Sequence, residues 1–129
     1  MEEIKDYPFN YNEIKAVFDL EGKSPVFTYG DKLYNPTGLT IPDHLLIHEA
    51  VHEKQQVNPK EWWERYLIDK DFRLEQELEA YRAQYQFIKK NVKDRNIVAR
   101  FLFTIAADLS SGMYKLNISQ TEAMKLIKQ

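Results

Sequence analysis

The segment His48-Glu49-Ala50-Val51-His52 combines two imidazoles and one carboxylate at a spacing that suits a metal site. On a helix, residues four apart are separated by about 6 Å along the axis, so both imidazoles project from one face. They could bind one Zn²⁺, and Glu49 would then stand beside a water that the metal activates. The pattern predicts metal-assisted hydrolysis, with His48 and His52 as zinc ligands and Glu49 as the general base.

A third zinc ligand is expected from a later helix. His44 lies two turns from His52, which is too far for all three histidines to share one ion on a straight helix. Gln55 and Asn58 occupy the positions where a metzincin needs glycine and histidine, so that subclass is excluded. Because the chain has no cysteine, the remaining ligand type is a carboxylate.

Three glutamates of the helix predicted for residues 73–92 are candidates for this carboxylate. The apolar stripe of that helix consists of Leu74, Leu78, Tyr81, Tyr85 and Ile88. Taking Leu74 as zero, Glu77 lies about 60° to one side, at the edge of the stripe, whereas Glu75 and Glu79 lie about 100° and 140° to the other side. Glu77 is therefore the best-placed ligand, with Glu75 and Glu79 as alternatives.

Other side chains near the motif could support catalysis. A hydrolase of this type needs a hydrogen-bond donor for the oxyanion. Tyr81 and His44 each lie one helical turn from a predicted ligand and could line the cleft, and Gln55 could hydrogen-bond a ligand. Each also has a structural explanation, since Tyr81 belongs to the apolar stripe, His44 to an exposed first turn and Gln55 to the helix end. Of Trp62 and Trp63, we expect one in the core and one at the surface.

The elements that must position these residues are mostly helical. Helices are predicted for residues 11–20, 60–68, 73–92, 96–110 and from Ser119 onward, and the motif lies in a helix that Asp43 caps and that stops near Asn58-Pro59. Short β-prone stretches at 26–29 and 32–34, separated by Gly30-Asp31, predict a hairpin, and residues 39–41 predict a further extended piece. We expect one α+β domain over residues 1–129, a minimal zincin-like arrangement with a small N-terminal β element packed on the metal-binding helix and further helices after it.

Composition excludes several other classes of protein. The formal net charge is −2 and the basic residues are scattered among acids, so neither nucleic-acid nor membrane binding is expected. The N-terminus is polar and lacks the apolar core of a signal peptide, and the most apolar run, residues 101–107, is too short to span a bilayer. We therefore expect a cytoplasmic protein, in a bacterial or host cytoplasm, without a signal peptide; its oligomeric state stays open.

The strings HEAVHEKQQ, WWERYL and RLEQELEAYRAQ, with TYGDKLYNPTG before them, make the chain resemble small phage and prophage-type metallopeptidases of the gluzincin kind. The resemblance covers roughly residues 29–88. Glu77-Leu78-Glu79-Ala80 is similar to the ExxA motif of CaaX-processing and ImmA/IrrE-like peptidases, in which the first glutamate binds zinc. The resemblance thus implies zinc dependence, a minimal zincin fold and ligation by Glu77. It departs at Tyr81, where such relatives often carry Asp or Asn.

The leading functional hypothesis is hydrolysis of a peptide or protein substrate, whose backbone could pair with the extended segment 38–41. The alternative is a non-catalytic, zinc-stabilised interaction module, for example a phage protein that binds a host factor. Glu49 argues against that alternative, because a structural site needs no base and would fill its fourth position with protein. A zinc hydrolase acting on a non-peptide amide is a third, weaker hypothesis.

Overall fold

The computed structural model describes residues 1–129 and shows an α+β chain of six helices and three short strands. In chain order the elements are β1 (Glu2–Ile4), α1 (Tyr11–Val17), β2 (Phe27–Tyr29), β3 (Lys32–Tyr34), α2 (Asp43–Gln55), α3 (Pro59–Ile68), α4 (Lys70–Asn91), α5 (Arg95–Ser110) and α6 (Gln120–Lys128). The predicted α+β, mostly helical class is confirmed.

The sheet has the strand order β1-β3-β2. β2 and β3 form the predicted antiparallel hairpin, and Gly30 in its turn adopts φ +61°, a conformation that glycine reaches without steric cost. β1 pairs parallel to β3 and was not predicted, because three mostly exposed residues carry no alternating pattern. Residues 39–41 form no strand, so the extended segment expected there is wrong.

Side-chain caps decide where most helices begin. The Asn58 carboxamide accepts a hydrogen bond at the start of α3, and the Ser119 hydroxyl does the same for α6, as its capping-box pattern predicts. α4 begins three residues earlier than predicted because Asp69 accepts from the backbone N–H of Phe72. Asp43 does not cap α2: Pro42 occupies that position, and Asp43 is the first helical residue.

Two groups of buried side chains form the core, and α4 contributes to both. The first joins α4, α5 and α6 and includes Leu78, Tyr81, Leu102, Ile105, Leu109 and Ile127. The second joins α1, β2, α3 and the start of α4 and includes Ile14, Phe18, Phe27, Trp63 and Phe72. Helix α2 packs along α4, and β2 contacts α2. The motif helix is therefore held on one side by α4 and on another by the sheet.

Candidate metal centre

Helix α2 presents His48, Glu49 and His52 toward the interior. All three are buried, with exposed fractions of 3%, 6% and 5%, and their ligand atoms lie within 4.8 Å of one another. The two imidazole ring centroids are 4.9 Å apart. The helical spacing read from the sequence thus brings together a group that could hold a metal ion.

Glu77 of α4 faces both imidazoles. Its Oε1 atom lies 3.2 Å from Nε2 of His48, and its Oε2 atom lies 3.2 Å from Nε2 of His52. Tyr66 of α3 donates a hydrogen bond of 2.7 Å to Oε2 and so fixes the carboxylate. Glu75 and Glu79, the alternatives, are both exposed, whereas Glu77 is 2% exposed. Of the three candidate glutamates, only Glu77 is placed to join the two histidines.

Hydrogen bonds on the far side of each ring determine which nitrogen faces Glu77. Nδ1 of His48 lies 2.9 Å from the amide oxygen of Gln84, and Nδ1 of His52 lies 2.8 Å from that of Gln55. An amide oxygen only accepts, so each Nδ1 carries a proton. In the neutral form of each imidazole, the form that binds a metal, the lone pair is then on Nε2 and faces the carboxylate.

The centre therefore needs positive charge. Two imidazole lone pairs and a carboxylate converge, and the buried Oε1 of Glu77 has no hydrogen-bond partner. Buried acceptors facing one another are costly unless a proton or a cation lies between them. Tetrahedral zinc ligands at 2.0–2.1 Å lie about 3.3–3.4 Å apart, close to the two observed separations of 3.2 Å. The donor set of two nitrogens and one carboxylate fits a zinc ion.

Without a metal, a bound proton supplies the positive charge between the imidazoles and Glu77. Burial opposes a charge on His52, but the carboxylate of Glu77 outweighs it and raises the pKa of His52 to about 9. Burial likewise opposes ionisation of Glu77, yet the positive charge of His52 and the closeness of both imidazoles hold the pKa of Glu77 well below its usual range. The metal-free centre is thus an ion pair, in which a proton occupies the place that suits a cation.

Glu49 occupies a different position from Glu77. Its Oε2 atom lies 3.7 Å from Nε2 of His48, and its Oε1 atom accepts a hydrogen bond of 2.9 Å from the Thr28 hydroxyl of β2. Glu49 and Glu77 are both near the imidazoles, but Glu77 is closer, engages both rings and lies opposite them on another helix. The hydrogen bond from Thr28 holds Glu49 to the side of the two rings.

Polar partners beyond the centre come from α2 and α4. Gln55 contacts His52 as helical spacing suggested, and its amide nitrogen donates to the Gln76 carbonyl and to Glu79. Gln84, 36 residues from its partner His48, was not identified from the sequence. It lies seven residues, or two turns, after Glu77, and that spacing was the available signal.

His44 and Tyr81, the two oxyanion candidates, are placed differently. His44 accepts from the Gln84 amide, packs edge-on against Phe101 and does not line the cleft. Tyr81 packs its ring against that of His48, with centroids 4.5 Å apart, and the residue lines the cleft. The structure therefore brings Tyr81, but not His44, to the site.

A cleft of about 310 Å³ opens onto the centre. Its walls include Ile14 of α1, Phe27 of β2 and aromatic side chains of α3, together with the loop that follows α5. Trp62 and Trp63 are both buried, so the expectation of one surface tryptophan is wrong. Each indole N–H has an acceptor, the Gln76 side chain for Trp62 and the Thr28 carbonyl for Trp63.

Comparisons with protein-family models, with curated proteins and with solved structures found no match to this chain. No helix combines the length and the apolar character that a membrane crossing requires. Any function of this chain must therefore be inferred from the site itself.

Proposed function

We propose that the protein is a zinc-dependent metallopeptidase of minimal zincin type, with His48, His52 and Glu77 as the zinc ligands. The observation that carries this proposal is the convergence of two Nε2 lone pairs and the Glu77 carboxylate, with Glu49 held beside them by Thr28. A site with three protein ligands retains a place for water, which is the arrangement of catalytic rather than structural zinc. The resemblance to phage-type gluzincins, seen in the sequence, agrees with this assignment.

When bound, zinc would lower the pKa of water toward neutrality and polarise the substrate carbonyl. Glu49 then removes one proton from the water as its oxygen bonds to the carbonyl carbon. The carbon–nitrogen bond breaks as Glu49 returns that proton to the departing amine, giving a carboxylic acid and an amine. The Thr28 hydroxyl, donating to Oε1, keeps Glu49 oriented through both transfers.

The backbone before β2 supports a peptide substrate. The Thr28 carbonyl accepts from the side chains of Gln56 and Trp63, so this edge of β2 faces away from β3. Val26, two residues earlier, presents its N–H and C=O along the same edge. Neither group has a hydrogen-bond partner, and Val26 lines the cleft. An extended peptide could add there as a strand, which replaces segment 38–41 as the expected pairing site.

The test is the substitution Glu49→Gln, measured for zinc content and for cleavage of a degenerate peptide pool. We expect zinc to be retained and kcat/KM to fall by roughly 10²- to 10⁴-fold, since a positioned general base contributes about that much. Glu53→Gln is the matched control, because Glu53 lies on the same helix and makes no side-chain hydrogen bond or ion pair. It should cleave the pool as the unaltered protein does.

The outcomes separate enzyme from interaction module. Cleavage by the unaltered protein that Glu49→Gln abolishes supports the peptidase. If the protein binds zinc but cleaves nothing, and both variants preserve its biological effect, the zinc-stabilised module is the correct function. Failure to bind zinc at all would remove the basis of both.

A further inference from the structure

Three tyrosines line the cleft: Tyr66, Tyr81 and Tyr114. The Tyr66 hydroxyl donates a hydrogen bond to the Glu77 carboxylate, so it is not available as a donor to a substrate. The hydroxyls of Tyr81 and Tyr114 are 2.9 Å apart and bond only to each other. Of the three, only this pair has hydrogen-bonding capacity left for a substrate.

The pair of Tyr81 and Tyr114 hydroxyls has one hydrogen-bond donor to spare. Two hydroxyls carry two protons, and their mutual hydrogen bond uses one. The other proton has no acceptor in the protein, so it is available to a group bound in the cleft that both residues line. Whichever tyrosine donates within the pair, its partner's O–H is then free for an oxygen of the substrate.

Packing indicates which hydroxyl that is. The Tyr81 ring lies against the ring of His48, whereas the Tyr114 ring lies 6.2 Å from that of Tyr81, centroid to centroid, on the loop between α5 and α6. Tyr81 is therefore the tyrosine next to the reacting centre. The Tyr114 hydroxyl lies 2.9 Å from that of Tyr81, so its O–H can donate to the Tyr81 oxygen.

The loop around Tyr114 is fixed rather than free. Buried Arg73 donates from Nε to the Tyr114 carbonyl at 2.8 Å and from a terminal nitrogen to the Tyr66 carbonyl at 2.6 Å. The next residues include Lys115 at φ +54°, a left-handed conformation that costs lysine energy, and Asn117 at φ +57°, a conformation that asparagine adopts more readily. A strained segment held by a buried arginine is suited to presenting one side chain at a set position.

We propose that Tyr114 is a positioning residue that donates to the Tyr81 oxygen and thereby turns the Tyr81 hydroxyl toward the substrate carbonyl oxygen. Tyr81 is then the catalytic residue that donates to this oxygen as negative charge develops on it. This inference rests on the proposed peptidase function.

The test compares three single Tyr→Phe variants and one double variant on a cleaved peptide. Tyr81→Phe should lower kcat by roughly 10²- to 10³-fold with KM little changed, the cost of losing one oxyanion donor. Tyr114→Phe should lower kcat by about tenfold, since the donor remains but is less well held. The double variant should be no slower than Tyr81→Phe, because Tyr114 acts only through Tyr81.

Tyr85→Phe is the matched control. Tyr85 is buried on the same helix as Tyr81, lies outside the cleft and makes no side-chain hydrogen bond, so kcat and zinc affinity should be unchanged. Additive losses in the double variant, or a Tyr114→Phe loss as large as that of Tyr81→Phe, would overturn the assigned order of donation.

A binding measurement separates failure of this inference from failure of the proposed function. The zinc-loaded protein is titrated calorimetrically with N-phosphoryl-Leu-Phe, whose phosphoryl oxygens mimic the charged tetrahedral intermediate. Tyr81→Phe should weaken binding at least tenfold while zinc affinity stays unchanged. If Glu49→Gln shows the protein to be a peptidase and Tyr81→Phe still binds and cleaves normally, the tyrosine assignment alone is wrong. If the unaltered protein neither cleaves peptides nor binds this compound, both are wrong.

Discussion

Replacing Gln84 by leucine removes the hydrogen-bond acceptor of His48 while preserving most of the side-chain volume. The Gln84 amide oxygen lies 2.9 Å from Nδ1 of His48, and both side chains are 3% exposed, so water cannot substitute for the lost acceptor. The ring then loses the partner that keeps its proton on Nδ1 and its lone pair on Nε2.

The expected effect of Gln84→Leu is a 10- to 100-fold weaker affinity for zinc, the usual cost of removing an outer partner of a metal-bound histidine. That range corresponds to about 1.4 to 2.8 kcal/mol of binding free energy. The buried N–H left without an acceptor also costs about 1–3 kcal/mol, which should appear as a lower free energy of unfolding of the zinc-free protein.

Zinc affinity is measured by competition with a chromophoric chelator at constant pH, and unfolding by urea titration in a chelator. Gln86→Leu is the matched control, because Gln86 is exposed on the same helix and makes no hydrogen bond with its side chain. Gln84→Glu should bind zinc at least as well as the unaltered protein, since it keeps an acceptor there. Zinc affinity of Gln84→Leu within twofold of the control would refute the role of Gln84 and the tautomer argument with it.

Two further predictions concern stability. In the zinc-free protein, the pKa of His52 is raised to about 9. The part of the free energy of unfolding that His52 contributes is therefore fully present below its unfolded pKa of 6.5 and is lost as the pH rises through 9. The pKa of Glu77 is lowered, so the stability that Glu77 contributes is present above its unfolded pKa of 4.5 and is lost on acidification. In urea unfolding with a chelator present, the unaltered protein should be more stable than His52→Gln by an amount that is constant near pH 6 and shrinks toward pH 9.5. A difference in stability that stays constant up to pH 9.5 would contradict the ion pair. Gly30→Ala should lower the midpoint of urea unfolding by an amount equivalent to about 1–2 kcal/mol, because a left-handed φ is strained for alanine and its Cβ would lie 3.3 Å from Pro59. Gly112→Ala, with no atom within 4 Å of the added Cβ and no left-handed φ, should leave the midpoint unchanged or raise it, and equal losses in both variants would show that Gly30 has no special role.

Much of the local structure could be predicted from short stretches of sequence. A cap and the helix that it begins are neighbours in the chain, so Asn58, Ser119 and the Gly30-Asp31 turn carry their own signals. The spacing of His48 and His52 is also a local signal, because one helical turn sets their separation whatever packs around them. Glu77 could be selected as the third candidate ligand from sequence too, because its angle to the apolar stripe depends only on its own helix.

Tertiary packing decided the rest of the site. The bonds from Gln84 to His48, from Thr28 to Glu49 and from Tyr114 to Tyr81 join residues 36, 21 and 33 positions apart. No periodicity encodes such pairs, since each depends on how α2, α4, the sheet and the α5–α6 loop meet.

The parallel pairing of β1 with β3 is also non-local, and three mostly exposed residues gave no alternating pattern from which to predict it. The types and spacing of the proposed zinc ligands were thus determined by the sequence alone. The groups that orient them were determined by the fold, because a hydrogen bond between distant segments exists only once both are packed in place.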